Sequence, residues 1–464
     1  MAGYIDEAAF GRIGRDYPLG QAFLDGPARM SRDALTDLQD RRFRTIMARA
    51  WQVPFYDRLW RAQGLEPGDI AGLQDIGKLP TYSKTDLMAS IERAPPYGDY
   101  HGVDFDAPAG ARPHVLMHTT SGTTGPPQPL YFGAFDREVQ NTLLARAYLL
   151  QGLRDDDVVH SVYGFGMING GHYIREAILH FTKAMLLPAG TGLETRSEAQ
   201  VQLMQMFSAT VLVGFVDYIR KLGDTARAAG LAPGGDIPIR MISGHLGQDD
   251  RQSLAEAWGG AEIFDWYGVG DTGIVAAEGP DHDGLYVFED AHYVEVIDPD
   301  TGATVAGDQA GSLCVTCLFK ETVYPIIRFD TKDLTQRQAG RSDMGIGFTR
   351  IAGHLGRSDS MVKLRGINVY PTAIGSILAG HPAATGEFVC RVGRVAGRDQ
   401  MTVVAEVSDN SVGDEAAAQS LAALLRQALG VEVAVETVGA GETAALTEID
   451  RRQKPLRLLD ERAP

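Results

Sequence analysis

The chain reads as an α/β protein built from more than one unit, and three observations point there. Between residues 115 and 275, short apolar β-rich runs alternate with stretches of helical periodicity, the rhythm of a sheet with crossover helices. From 284 to 350 the texture changes to strands joined by tight turns, and near 360 a third texture begins, strands around one amphipathic helix. At 464 residues the chain also exceeds what one hydrophobic core ordinarily supports.

Apolar residues at helical spacing (Leu35, Leu38, Phe43, Ile46, Met47) predict helix within 34–62, interrupted at Val53-Pro54-Phe55-Tyr56. Ser83 with Asp86 three residues on predicts a capped helix start. Strands are expected over Val158–Tyr163, Thr210–Gly214, Ile239–Ser243 and Ile263–Tyr267. Helices are expected over Phe135–Gln151, Ala199–Phe207 and Val216–Ala229. Asp298-Pro299-Asp300-Thr301-Gly302 predicts a hairpin turn between Tyr293–Ile297 and Gly311–Leu318. The last texture reads as strands Phe388–Val392, Met401–Val407 and Val431–Val438 around a helix Asp414–Leu429, a unit large enough to fold alone.

Hydrophobic residues at 44% and charged residues at 22% are ordinary for a soluble globular chain. The 54 glycines are well above the usual share of about 7%, without a repeat, and point to loop-shaped ligand sites. A net charge of −17 argues against nucleic-acid and anionic-membrane partners, so an anionic nucleotide needs locally placed cations. Three cysteines give no disulfide framework and fit a reducing cytoplasm. Cys314 and Cys317 have CxxC spacing, but in a strand they point to opposite faces, so a structural role is expected. The first residues carry no basic, apolar leader pattern, and no apolar run approaches the ~18 residues of a membrane span.

Chemistry-bearing residues gather in five segments. The first, His118-Thr119-Thr120-Ser121-Gly122-Thr123-Thr124-Gly125, puts five hydroxyls and two glycines directly after an apolar run. Such a backbone can bend around an anion and donate to phosphate oxygens, or it is a polar turn. Pro126 and Pro127 follow where a Walker loop would need Gly-Lys-Ser/Thr. The second, Trp266-Tyr267-Gly268-Val269-Gly270-Asp271-Thr272-Gly273, suits a ligand-binding strand end, with Tyr267 for a planar base and Asp271 for Mg²⁺, or a Gly-rich turn with a capping Asp.

In the third, Ile327–Leu334, Asp333 is a good acceptor pair for two ribose hydroxyls, or one member of a surface charge cluster. The fourth, Gly353–Pro371, falls at the texture change and gathers Arg357, Lys363 and Arg365, as a hinge facing a nucleotide or as a solvated hairpin. The fifth, Arg451–Arg457, sets four cations in seven residues, for an anionic transition state or a solvated tail.

Taken in order, these segments resemble the adenylate-forming superfamily of acyl- and aryl-CoA ligases, most closely enzymes of the phenylacetate-CoA ligase type. The likeness is carried by Val53–Tyr56, Leu79–Leu87, Ser121–Gly125, Tyr163-Gly164-Phe165-Gly166, Pro325–Leu334, Gly356–Asp359 and Arg365–Pro371. The resemblance implies a large N-terminal domain over 1–356, with α/β sheets and a small β-barrel, and a mobile α+β lid over 357–464 hinged near Asp359. It implies that Thr120, Ser121, Gly122, Thr123, Thr124 and Gly125 bind the ATP phosphates. Gly244, His245, Tyr267 and Gly268 would lie by the adenine, with Asp333 and Arg357 on the ribose. Asp271 would hold Mg²⁺, and Lys454 would be the lid lysine that bridges the acid and the α-phosphate. The acid pocket would be lined by Tyr163, Phe165, Met167, Asn169, His172 and Phe215, which suits a flat ring with one or two polar substituents.

The activity so implied is ATP-dependent activation of an aromatic carboxylic acid to an aryl-AMP, then transfer to coenzyme A. Two alternatives stay open: delivery of the acyl group to a separate carrier protein or an amine, and a nucleotide-binding subunit without turnover. No Asp-Ser-Leu carrier motif occurs, so any carrier acts in trans; a homodimer is left open. Four positions depart from the family's pattern. Asp271 is one methylene shorter than the usual Glu, and the loop has Pro126-Pro127-Gln128 where relatives commonly place a lysine. His245 replaces a common acid, and Ile449–Gln453 replaces the usual Ser-x-Gly-Lys context of the lysine.

Overall fold

Apolar runs buried by crossover helices can pair in parallel, and five strands of the large sheet do so in four pairings. The computed structural model describes residues 3–120, 127–247, 249–340, 342–359, 362–365, 367–395, 398–408, 412–449 and 455–462. The parallel strands lie in the order Met185–Pro188, Val158–Ser161, Val211–Phe215, Met241–His245 and Glu262–Val269. Four antiparallel strands extend the sheet: Gly273–Glu278, Leu285–Val287, Arg350–Ile351 and Arg337–Gln338. The strand and helix positions read from periodicity recur within a few residues. The expected helix over 34–62 is two helices, Arg32–Ala50 and Pro54–Arg61, with Pro54 opening the second, where its missing N–H costs nothing. Ser83 and Asp86 form a reciprocal capping box.

Chain order reverses at Val158–Ser161: the next strand lies on one side of it and the following strand on the other. That reversal opens a crevice at the carboxyl ends of the strands, the place where open α/β sheets bind ligands. Neighbouring strands approach closely there. A Cβ on Gly244 would lie 2.0 Å from the Gly214 carbonyl oxygen, so no larger residue fits without spreading the sheet.

A second sheet has the antiparallel order His292–Ile297, Gly311–Cys317, Ile326–Thr335 and Gly356–Arg357. The resemblance implied a small barrel; among the described residues this sheet stays open. Its last strand is two residues long and pairs with the end of Ile326–Thr335, too short to close a ring. The segment carrying Leu79–Tyr82 docks beside it, with Tyr82 N–H donating to the Arg328 carbonyl and Asp330 N–H to the Tyr82 carbonyl. Cys314 and Cys317 are buried in this sheet, where burial pushes both thiols up. No group of three or more His, Cys, Asp or Glu among the described residues could hold a metal.

The third unit has its own core, including Val362, Phe388, Val403, Leu421 and Leu425. Its sheet runs Ala434–Val438, Arg398–Val407, Ala384–Val395, Leu458–Asp460. The helix Glu415–Leu429 covers it, N-capped by Asp414 and ended by Gly430 in the left-handed region. Among the described residues no helix is long and apolar enough to cross a membrane.

The helix Ala134–Leu150 runs through the large domain with residues 135–148 all buried. Its Arg146 donates to Asp290 at 2.9 Å, neither side chain is exposed, and the guanidinium lies 4.3 Å from the Phe23 ring centre. Removing one member of a buried pair strands the other charge, at a cost of about 3–5 kcal/mol. Asp290→Ala is therefore expected to lower the thermal midpoint by several degrees in calorimetry. A change within error would show that the pair contributes nothing.

Candidate active site

Segments distant in sequence converge where the parallel strands end. Thr120 follows the strand Val115–Thr119, which pairs antiparallel with Pro129–Gly133: its N–H donates to the Gln128 carbonyl at 2.9 Å, and its hydroxyl accepts from Gln128 N–H at 3.0 Å. The Gln128 amide then donates to Asp271 Oδ1 at 2.7 Å, and the Tyr324 hydroxyl donates to the same oxygen at 2.9 Å. Asp271 is buried, which pushes its carboxyl above the usual range; the bonds from Tyr324 and Gln128 and the charge of Lys320 limit the rise. Lys320 is itself fully buried, donating to the Tyr131 carbonyl at 3.2 Å, with the Phe132 and Tyr324 rings about it.

Four residues before Asp271, the Tyr267 hydroxyl donates to Asp333 Oδ2 at 2.8 Å. Arg357 donates to the other oxygen at 2.8 Å, and His354 Nε2 lies 3.5 Å from it. Burial opposes ionisation of Asp333, yet His354, Arg357 and Tyr267 outweigh it and hold the carboxyl down to about 2. Asp333 therefore stays anionic throughout the neutral range. Arg357 also donates to both oxygens of Asp359, at 2.8 and 2.6 Å, and so links the strand end to the residue expected at the hinge.

Aromatic rings occupy the crevice. Tyr163 meets Phe215 at 5.0 Å; His245 stacks on Phe215 at 5.1 Å and lies 4.1 Å from Trp266. His245, expected beside adenine, thus shares one cluster with two residues expected at the acid. Two polar groups within it, the Tyr163 hydroxyl and the Trp266 indole N–H, are buried without a hydrogen-bond partner among the described residues. Phe165 and His172 rings meet at 5.2 Å, and His172 contacts His118 at 4.9 Å. Met167 is half exposed at 50%. Asn169, expected at the pocket wall, opens the helix Asn169–Phe181, and its amide oxygen accepts from buried Arg137 at 2.7 Å. Gly244 and Gly268 both lie on strand ends at the crevice.

Ser121, Gly122, Thr123, Thr124, Gly125 and Lys454 lie outside the described residues. Sequence reasoning missed Tyr324, Lys320, Trp266 and His354. Of these, only Trp266 and His354 stand inside the quoted motifs, and neither has a spacing that marks a role.

Comparison with known proteins bears on this arrangement. The small unit matches a family described as AMP-binding enzyme C-terminal domain over residues 366–462. A phenylacetate-coenzyme A ligase of Thermus thermophilus is 30% identical over 399 residues, covering 82% of this chain and 83% of the relative. One of Pseudomonas putida is 31% identical over 363 residues, covering 76% and 77%. This chain belongs to the phenylacetate-CoA ligase family. A 2-hydroxyisobutyryl-CoA ligase structure in the postadenylation state, in complex with 2-HIB-AMP, matches with a TM-score of 0.82 at 26% identity, covering 94% of this chain and 91% of that one. The same ligase with 2-HIB-AMP and CoA in the thioesterification state gives 0.65 at equal coverage and identity.

In this member of the phenylacetate-CoA ligase family, the donor set suits magnesium. Asp271 offers one hard oxygen ligand, and Mg²⁺ is ordinarily held by one or two carboxylates with substrate phosphates completing the shell. Gln128 supplies a neutral donor to that carboxylate, so the side chain is oriented without its charge being neutralised.

His118, two residues before Thr120, is buried, and among the described residues neither ring nitrogen makes a well-formed hydrogen bond. Burial, then the Arg137 and His172 charges, push it down to about 4. A histidine whose folded pKa lies below its unfolded value of about 6.5 adds stability that is complete above pH 6.5 and is lost as pH falls towards 4. His118→Phe should therefore lessen the fall of thermal midpoint between pH 6.5 and 4, with His292, also held down to about 4, contributing the remainder. Superimposable pH profiles for the variant and the parent would contradict this assignment.

Proposed function

We propose that the protein activates an aromatic carboxylic acid with ATP, forming an acyl-AMP and pyrophosphate, and then transfers the acyl group to coenzyme A. The observation that carries this reading is the hydrogen-bonded run Thr120–Gln128–Asp271 beside Tyr267–Asp333–Arg357. Thr120, Asp271 and Asp333 are each held by such bonds near the end of the strand Glu262–Val269, which supports roles as the start of a phosphate loop, a magnesium ligand and a diol acceptor. Family membership and the match to an adenylate-bound ligase support the same chemistry.

The acid's oxygen attacks the α-phosphorus, the bond to the β-phosphate breaks, and pyrophosphate leaves. The sulfur of CoA then attacks the carbonyl carbon, and AMP leaves with the C–O electron pair. The difficulty of the first step is the approach of two anions, so fixed positive charge lowers its barrier most. Mg²⁺ held at Asp271 would screen the phosphates. Lys454 would meet the carboxylate and the α-phosphate, and Asp333 would accept both ribose hydroxyls. Gly244, His245, Tyr267 and Gly268 would flank the base, and Ser121–Gly125 the phosphates. Tyr163, Phe215, His245 and Trp266 would enclose a flat ring, with the unpartnered Tyr163 and Trp266 donors turned to a polar substituent. Movement about Asp359 would carry 357–464 as a lid over 1–356. The free, buried cysteines suit a cytoplasmic enzyme.

Incubation with ATP, a panel of aromatic acids and CoA is expected to give AMP, pyrophosphate and a thioester by mass. ADP as the nucleotide product would refute adenylation, and an acyl-AMP that passes only to a carrier protein or an amine would refute the acceptor. Lys454→Ala is expected to slow adenylation about 10²–10³-fold, the usual cost of one electrostatic donor, and to leave thioester formation from supplied acyl-AMP unchanged. Equal loss in both halves would remove the lysine from its assigned place.

A further inference from the structure

One charged contact between the large domain and the small unit plays no part in the chemistry above. Arg457 precedes the strand Leu458–Asp460, and its side chain is only 14% exposed. Its Nη1 donates to Glu387 Oε2 and to the Phe388 carbonyl, both at 2.8 Å, and the guanidinium lies over the Phe388 ring at 4.7 Å. These contacts fix the side chain within the small unit. Its Nη2 reaches across to the large domain and donates to Asp217 Oδ1 at 2.9 Å. A planar guanidinium already held on one edge loses little freedom when the other edge pairs, and this pair is partly shielded from water. Such a pair contributes more than an exposed one.

Both ends of the contact adjoin the proposed reaction. Asp217 stands in the first turn of the helix Val216–Ala228, two residues after Phe215 of the aromatic cluster. Arg457 follows Lys454 by three residues. The pair thus joins the wall of the acid crevice to the segment that carries the lysine. A second observation gives the arrangement a meaning. With equal coverage of the chains, the molecule superposes on the postadenylation state of 2-hydroxyisobutyryl-CoA ligase and much less well on its thioesterification state. The Arg457–Asp217 pair is formed in a chain whose arrangement superposes better on the first of these two states.

We infer that Asp217 and Arg457 are positioning residues: their ion pair holds the small unit in the orientation that serves adenylation, and it opens before the thioester step. The inference rests on the adenylation reading above. Asp217→Asn keeps shape and removes the charge of the carboxylate that Arg457 bonds on the large domain, leaving nearby Asp249 and the Glu387 and Phe388 contacts of Arg457 in place. It is expected to slow acid-dependent pyrophosphate–ATP exchange about tenfold, a loss of about 1.4 kcal/mol. Thioester formation from supplied acyl-AMP should be unchanged or faster, and Asp217→Glu should recover most of the exchange rate. A merely structural residue would depress both halves together, and that result would overturn the inference.

A second readout needs no turnover. The native cysteines are buried, so spin labels can be directed to Met206→Cys on the large domain and Leu446→Cys on the small unit, both exposed. The interlabel distance distribution should broaden when Asp217→Asn is added, and an unchanged distribution would overturn the inference. If the parent protein shows no exchange with any acid while the distances still shift, the adenylation reading fails and the contact's role in domain orientation stands.

Discussion

Asp333 is a carboxylate taken out of water and kept charged, and the site is organised around that constraint. A buried anion is tolerable only when donors converge on it, and here they come from separate places: Tyr267 at the end of a parallel strand, Arg357 on the short strand of the second sheet, and His354 before it. All three must be in place together. The carboxylate therefore joins the parallel sheet, the antiparallel sheet and the segment leading to the small unit at one point. Through Arg357 the same network reaches Asp359.

Around that point the fold arranges groups with opposite requirements. Asp271 is buried where ionisation is disfavoured, and neutral donors from Gln128 and Tyr324 hold it. Strand order reverses at Val158–Ser161, and beyond the strand ends the rings of Tyr163, Phe215, His245 and Trp266 form an apolar cluster. A dry apolar wall next to fixed charges suits the proposed chemistry, in which an anion must approach a phosphate and the mixed anhydride must be kept from hydrolysis. A net charge of −17 makes local placement of cations necessary: Arg357 and Arg457 are each paired with carboxylates at short range, and Lys320 is buried within the field of Asp136 and Asp271.

Much of this was legible in the chain. Parallel strands announce themselves as short apolar runs, so Val211–Phe215 and Met241–His245 were found within two residues. Asp333, Tyr267 and Arg357 stood out because glycines and acids cluster at strand ends. What escaped lacks local periodicity. Arg350–Ile351 and Gly356–Arg357 are two residues each, too short to carry an alternation, and the open second sheet follows from that shortness. Tyr324 looks like a core tyrosine until Asp271 is brought to it from 53 residues away. The partner of Asn169 is likewise invisible in the chain: Arg137, 32 residues earlier on the neighbouring helix, donates to its amide oxygen. The Arg457–Asp217 pair spans 240 residues, and no one-dimensional pattern relates its members.

The placement of the nucleotide relative to Asp333 tests this account most directly. A crystal structure with bound AMP should put both ribose hydroxyls within about 3 Å of the Asp333 carboxylate, with the phosphate towards Thr120. A nucleotide bound away from that carboxylate would contradict the account at its centre.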